Sequence, residues 1–103
     1  MAEMMADPIA SEIEVLKRRV AQAVQEEYAS LGGSTRGYAS GEYGWCIRNL
    51  ADYPTVQSIR FAFVRPALTY FKWPVKFTVE HRDDFRGEPA FIVKFTPDSS
   101  SPI

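Results

Sequence analysis

The sequence is short of the features that most often announce a function. It holds one cysteine, Cys46, in 103 residues, which excludes an intramolecular disulfide and points to a core held by packing in a reducing compartment, the cytoplasm by default. Its first residues, MAEMMADP, are acidic where a secretory leader would be basic, and no long apolar run follows, so neither secretion nor a membrane span is expected. Charge of one sign is lacking too: 12 basic and 13 acidic side chains leave a net charge of -1. That removes the global field expected of a nucleic-acid binder.

What is present is an ordinary globular composition, 46% hydrophobic and 24% charged, in a chain long enough for one core. A single domain over residues 7–97 is expected, with 1–6 and 98–103 disordered. Aromatics are unevenly spread. Of 14 rings, 13 lie beyond residue 35, where Tyr28 is left out. Charge is uneven as well, at -3 up to Thr35 and +2 beyond it, and between Asp52 and Glu80 there are cations but no acid.

Residues 8–31 read as one long helix, because Asp7 is a good N-cap, Pro8 suits the first helical position and Gly32-Gly33 supplies a stop. At about 100° per residue, Ile9, Ile13, Leu16, Val20, Ala23, Val24 and Leu31 form one apolar stripe. A helix of that length spans about 36 Å, enough to be the sole cover of a small sheet. Glu27 interrupts the stripe and reads as its solvated end; near the C-terminal dipole it would gain from a basic neighbour on the sheet. Val15 lies on the polar side. Residues 32–42, GGSTRGYASGE, read as a loop.

Beyond the loop the period becomes two. Residues 43–50 alternate around Tyr43, Trp45 and Ile47, and residues 58–65 around Ile59, Phe61 and Phe63. Residues 66–74, bracketed by prolines, fit either an edge strand or a two-turn helix starting at Pro66, with the strand preferred. Val75, Phe77, Val79 and His81 then share one face, as do Phe91, Val93 and Phe95, across a polar connection RDDFRGEP suited to a hairpin. No connection after residue 42 is expected to be long enough for a crossover helix, so the strands should form an antiparallel meander. The expected fold is two-layer α+β: one long N-terminal helix on a four- to five-stranded antiparallel sheet.

Candidate chemistry is sparse. Gly32 and Gly37 have the spacing of a phosphate-binding turn, but Tyr38 and Ala39 stand where Lys and Ser or Thr are needed. Phe61-Ala62-Phe63-Val64 shares part of the aromatic spacing of an RNA-binding strand, yet Arg60 replaces its glycine and the strand order differs, which leaves a core or interface strand. Arg60, Arg65, Lys72 and Lys76 read as a solvated face whose cations balance the acidic helix. His81, Asp83, Asp84 and Glu88 offer a single imidazole with carboxylates on a turn, which predicts weak, unselective metal binding, and they read as a plain polar hairpin. Cys46 and His81 fall on opposite strand faces, which disfavours nucleophilic catalysis.

The expectation is therefore a non-enzymatic interaction, adaptor or regulatory module that needs no cofactor and no metal, and that self-associates as a homodimer through its sheet. The interface would be Arg60, Ala62, Val64, Phe71, Trp73 and Ile92. Alternatively, a small molecule binds between helix and sheet against Tyr28, Tyr43, Trp45 and Phe61, closed by Arg36 and Tyr38. Single-stranded nucleic acid ranks below both, and an unidentified protein partner fits the first reading.

Overall fold

The N-terminal stripe folds as its period requires, into helix α1 (Pro8–Leu31). This computed structural model describes residues 8–31, 42–70 and 75–97; the Asp7 cap, the glycine loop and both expected disordered ends lie outside them. Leu16, Val20, Ala23 and Val24 are buried. No helix among the described residues is long and apolar enough to cross a membrane.

The remainder is α+β with fewer strands than expected. Strand β1 (Tyr43–Ile47) is followed by a 3-10 turn (Leu50–Asp52), then by helix α2 (Val56–Ile59), a π-helical turn (Arg60–Val64) and helix α3 (Arg65–Tyr70). Strands β2 (Val75–Phe85) and β3 (Glu88–Pro97) close the described chain. Residues 58–65 and 66–70 are thus helical and not extended, and the sheet among the described residues has three strands, not four or five.

The helix starts with a strong local signal. Thr55 Oγ1 accepts from the Ser58 amide and Ser58 Oγ accepts from the Thr55 amide, each at 3.1 Å, a reciprocal capping box that satisfies two of the first turn's donors. From there Ile59, Phe63, Val64, Ala67 and Leu68 are buried at spacings of three and four. The alternation of Ile59, Phe61 and Phe63 is local, and the longer helical period overrides it. The π turn comes directly before Pro66, whose ring would collide with the Ala62 carbonyl in a regular α-helix; closing the turn from the Arg65 amide to the Arg60 carbonyl widens the helix there.

Sheet order is β1-β3-β2, with both pairings antiparallel. A meander would place β2 in the middle. Because β1 and β2 each run against β3, they run parallel to one another and must be joined by a crossover, which is what the helical segment supplies. The hairpin is also tighter than the expected eight-residue connection: Arg86 and Gly87 turn the chain at φ 58° and 88°, the geometry of a two-residue primed turn. A register shift lies between Arg82 and Phe85.

One sheet face carries Tyr43, Trp45, Ile47, Val75, Phe77, Val79, Phe91, Val93 and Phe95, all in or against the core. Helix α1 is not its sole cover, since Phe63 from the crossover sits with its ring 5.5 Å from Trp45 and 6.3 Å from Phe95. Arg19 of α1 donates to the Tyr53 carbonyl at 3.0 Å, and the Val75 amide donates to the Tyr28 hydroxyl at 2.9 Å, tying both ends of the crossover region to α1.

The helical and extended readings differ in a measurable way, because a strand would put Phe61 and Phe63 on the same core face. In the fold described, Phe63→Ala should cost about 3–5 kcal/mol and Phe61→Ser less than about 1 kcal/mol in urea unfolding. Equal, large losses at both positions would contradict the crossover helix.

Candidate interaction surface

Glu27 falls on the buried side of α1, next to Val24 and Ala23, and is 2% exposed. It is not the solvated end of the stripe. Its Oε1 accepts from Arg60 Nε at 2.8 Å and its Oε2 from Arg65 Nε at 3.0 Å, so one carboxylate is held between two guanidinium groups. A buried acid is tolerated when it is paired and hydrogen-bonded in this way. Both cations come from the crossover helix, not from the sheet.

Around this centre the charges form a small network. Arg60 also lies 3.6 Å from Glu26, and Glu26 accepts from Gln57 at 2.9 Å and from Gln22 at 3.1 Å. Two of the four cations expected to offset the acidic helix, Arg60 and Arg65, do so by direct pairing. Burial raises the Glu27 pKa, but hydrogen bonds and charge from Arg60 and Arg65 outweigh it, and the carboxyl titrates below its ordinary value. The same guanidinium groups flank the Phe61 ring at 5.1 and 4.6 Å. Phe61 is 51% exposed, the exposed large hydrophobic among the described residues.

The second surface is the sheet. Its face away from the core cluster carries Cys46, Lys76, Thr78, Glu80, Arg82, Ala90, Ile92, Lys94 and Thr96, and no described helix packs on it. Ala90 and Ile92 on the central strand are already buried, Ile92 lying between Cys46 and Glu80 across the two ladders. The exposed remainder is polar and charged.

Beyond β2 the sheet ends. In an antiparallel strand alternate residues direct both backbone groups to the same side, and the Val75 amide bonds to Tyr28. That assigns the odd-numbered residues 75–81 to the outer edge. The amides and carbonyls of Phe77, Val79 and His81 face outward, and no backbone–backbone bond from another of the described residues reaches them.

No family model, curated protein or solved structure matches this chain.

Of the residues expected to line a ligand pocket, Tyr28, Tyr43 and Trp45 are half-buried against the core, with Tyr43 and Trp45 stacked at 6.4 Å. Phe61 does not join them, because the helical crossover turns it outward. Arg36 and Tyr38 lie outside the described residues. In the expected interface, Arg60, Ala62 and Val64 belong to the π-helical turn and not to the sheet, and Val64 is buried. Ile92 is on the open face but covered, and Phe71 and Trp73 lie outside the described residues. The burial of Glu27, its direct pairing with Arg60 and Arg65, and the β2 edge were not expected from the sequence. A signal for the first was present: an acid inside an apolar stripe, with arginines in an acid-free segment.

Catalytic geometry finds little support among the described residues. Cys46 pairs across from Ile92 on the open face while His81 pairs across from Phe91 on the core side, so thiol and imidazole occupy opposite faces. His81 Nδ1 lies 3.5 Å from a fully solvated Asp83 carboxylate, and its ring packs edge-on against Phe91 at 4.8 Å. No group of three metal-ligating side chains occurs among the described residues.

Removing the Glu27 charge has a direction and a size. Glu27→Gln leaves Arg60 largely buried without its main partner and should cost about 3 kcal/mol, the lower end for a broken buried pair because Arg65 is half in water and Arg60 keeps Glu26. Since the folded pKa is lowered, the pair's stabilisation is complete above the ordinary value of 4.5 and is lost as pH falls through the folded value. Urea midpoints between about pH 7 and about pH 3 should show a flatter acid limb in the variant; parallel limbs would contradict this role.

Proposed function

We propose that the chain is a non-enzymatic interaction module that associates with a second copy of itself through its sheet. The observation that supports this reading is the edge of β2, an 11-residue strand whose outward backbone groups at Phe77, Val79 and His81 have no backbone partner among the described residues, the Val75 amide being held by the Tyr28 hydroxyl. Such an edge is a template for another strand. A three-stranded sheet with helices on one face gains most from this kind of extension, because every added strand continues both the hydrogen-bond ladder and the covered face. The open face contributes less than expected, since its apolar residues Ala90 and Ile92 are covered within one chain.

Self-association of this kind has two linked readouts. Sedimentation equilibrium at micromolar concentration should give a mass of twice 11.7 kDa. Amide exchange at Phe77 and Val79 should slow as concentration rises, while that at the exposed turn residue Arg86 stays unchanged. A monomer at every concentration, or a dimer with unchanged exchange along β2, would overturn the reading.

A further inference from the structure

Resting on that reading, we infer that two copies join β2 to β2 antiparallel about a two-fold axis through Thr78, which makes one six-stranded sheet. Three constraints select this register. Parity comes first. Residues directly opposite one another in an antiparallel ladder direct their backbone groups the same way, so odd-numbered residues of one copy must face odd-numbered residues of the other, and the axis passes through a residue and not between two. This also keeps core side chains beside core side chains.

Length comes second. The regular, outward-facing part of β2 runs from Val75, its first residue, to His81, just before the register shift that begins at Arg82. Its midpoint is Thr78. An axis there sets Phe77 opposite Val79 and Val75 opposite His81, each twice; the Phe77–Val79 pairs exchange both backbone bonds, while at Val75, whose amide is held by Tyr28, only the carbonyl is left to accept from His81. Phe77 and Val75 are only half-buried in one chain, and a second copy beside them would cover more of both.

Charge decides among the neighbouring registers. With the axis at Thr78, Lys76 faces Glu80 of the second copy and Glu80 faces Lys76, a symmetric pair of opposite-charge contacts, with the two Thr78 hydroxyls meeting at the centre. An axis at Val79 sets Lys76 against Arg82, and axes at Lys76 or Glu80 set like charges directly on the dyad. An axis at Phe77 leaves Glu80 without a facing residue in the strand. An axis at His81 would match Glu80 with Arg82, but the register shift between Arg82 and Phe85 would interrupt the ladder; in the Thr78 register Lys76 of the second copy joins the Glu80–Arg82 pair already present in each chain at 3.1 Å. Lysine alone on an edge guards against pairing; lysine with a glutamate four residues on is self-complementary under a two-fold.

The test is a charge-reversal cycle on the full chain, read by sedimentation equilibrium with circular dichroism as the check on folding. Lys76→Glu and Glu80→Lys should each raise the dimer dissociation constant by about tenfold or more, because every reversal creates two like-charge contacts by symmetry. The double variant should return to within about threefold of the wild type. A second measurement does not depend on the reversals. In a Cys46→Ser background, Thr78→Cys should form a disulfide-linked dimer on mild oxidation, since facing residues of a non-hydrogen-bonded pair lie about 4.5 Å apart at Cα. A dimer indifferent to both reversals, or one that fails to cross-link at position 78, overturns this register and leaves self-association standing. A wild-type chain that stays monomeric overturns both.

Discussion

The ring of Phe63 fills the space between the crossover helix and the sheet, and the rest of the fold depends on its being there. It is fully buried, lies 5.5 Å from Trp45 on β1 and 6.3 Å from Phe95 on β3, and meets Tyr53 edge-on at 6.1 Å. A sheet with one apolar face must bury that face against something. Helix α1 supplies part of the cover, and Phe63 with Ile59, Ala67 and Leu68 supplies the remainder. This arrangement requires the chain between β1 and β2 to rise over the sheet, which in turn sets those strands parallel and leaves the middle place to β3.

Electrostatics then fix how the two helical layers meet. Apolar packing is non-directional and would let α1 slide or rotate on the crossover by small steps. The Glu27 carboxylate accepts two guanidinium hydrogen bonds from residues five apart on the facing helix, a geometry that tolerates little displacement. The same pairing holds Arg60 and Arg65 over Phe61. One charge cluster thus serves both the fit of the helices and the presentation of an aromatic to solvent.

Legibility followed the range of the interactions. Helix α1 could be read because its period repeats along 24 residues, and the hairpin because its apolar residues alternate on both arms. The crossover was misread because three residues, Ile59, Phe61 and Phe63, alternate, while the same Ile59 and Phe63 also fit a helical spacing that continues through Ala67. Short apolar runs support either period. The Thr55–Ser58 capping box was the local sign that could have decided it. For Glu27 the stripe was visible, but its partners lie 33 and 38 residues away, and no local pattern reports them.

The sequence by itself determined the α+β class, the extent of α1, the antiparallel hairpin and the small, nearly neutral charge, because each is set by composition or by periodicity within one segment. Tertiary structure decided that residues 56–70 are helical, that β3 and not β2 is central, that Glu27 is buried and paired, and that β2 lies at an edge of the sheet. These depend on which distant surfaces come together, and the free energy that separates the alternatives belongs to those contacts and to no stretch of chain alone.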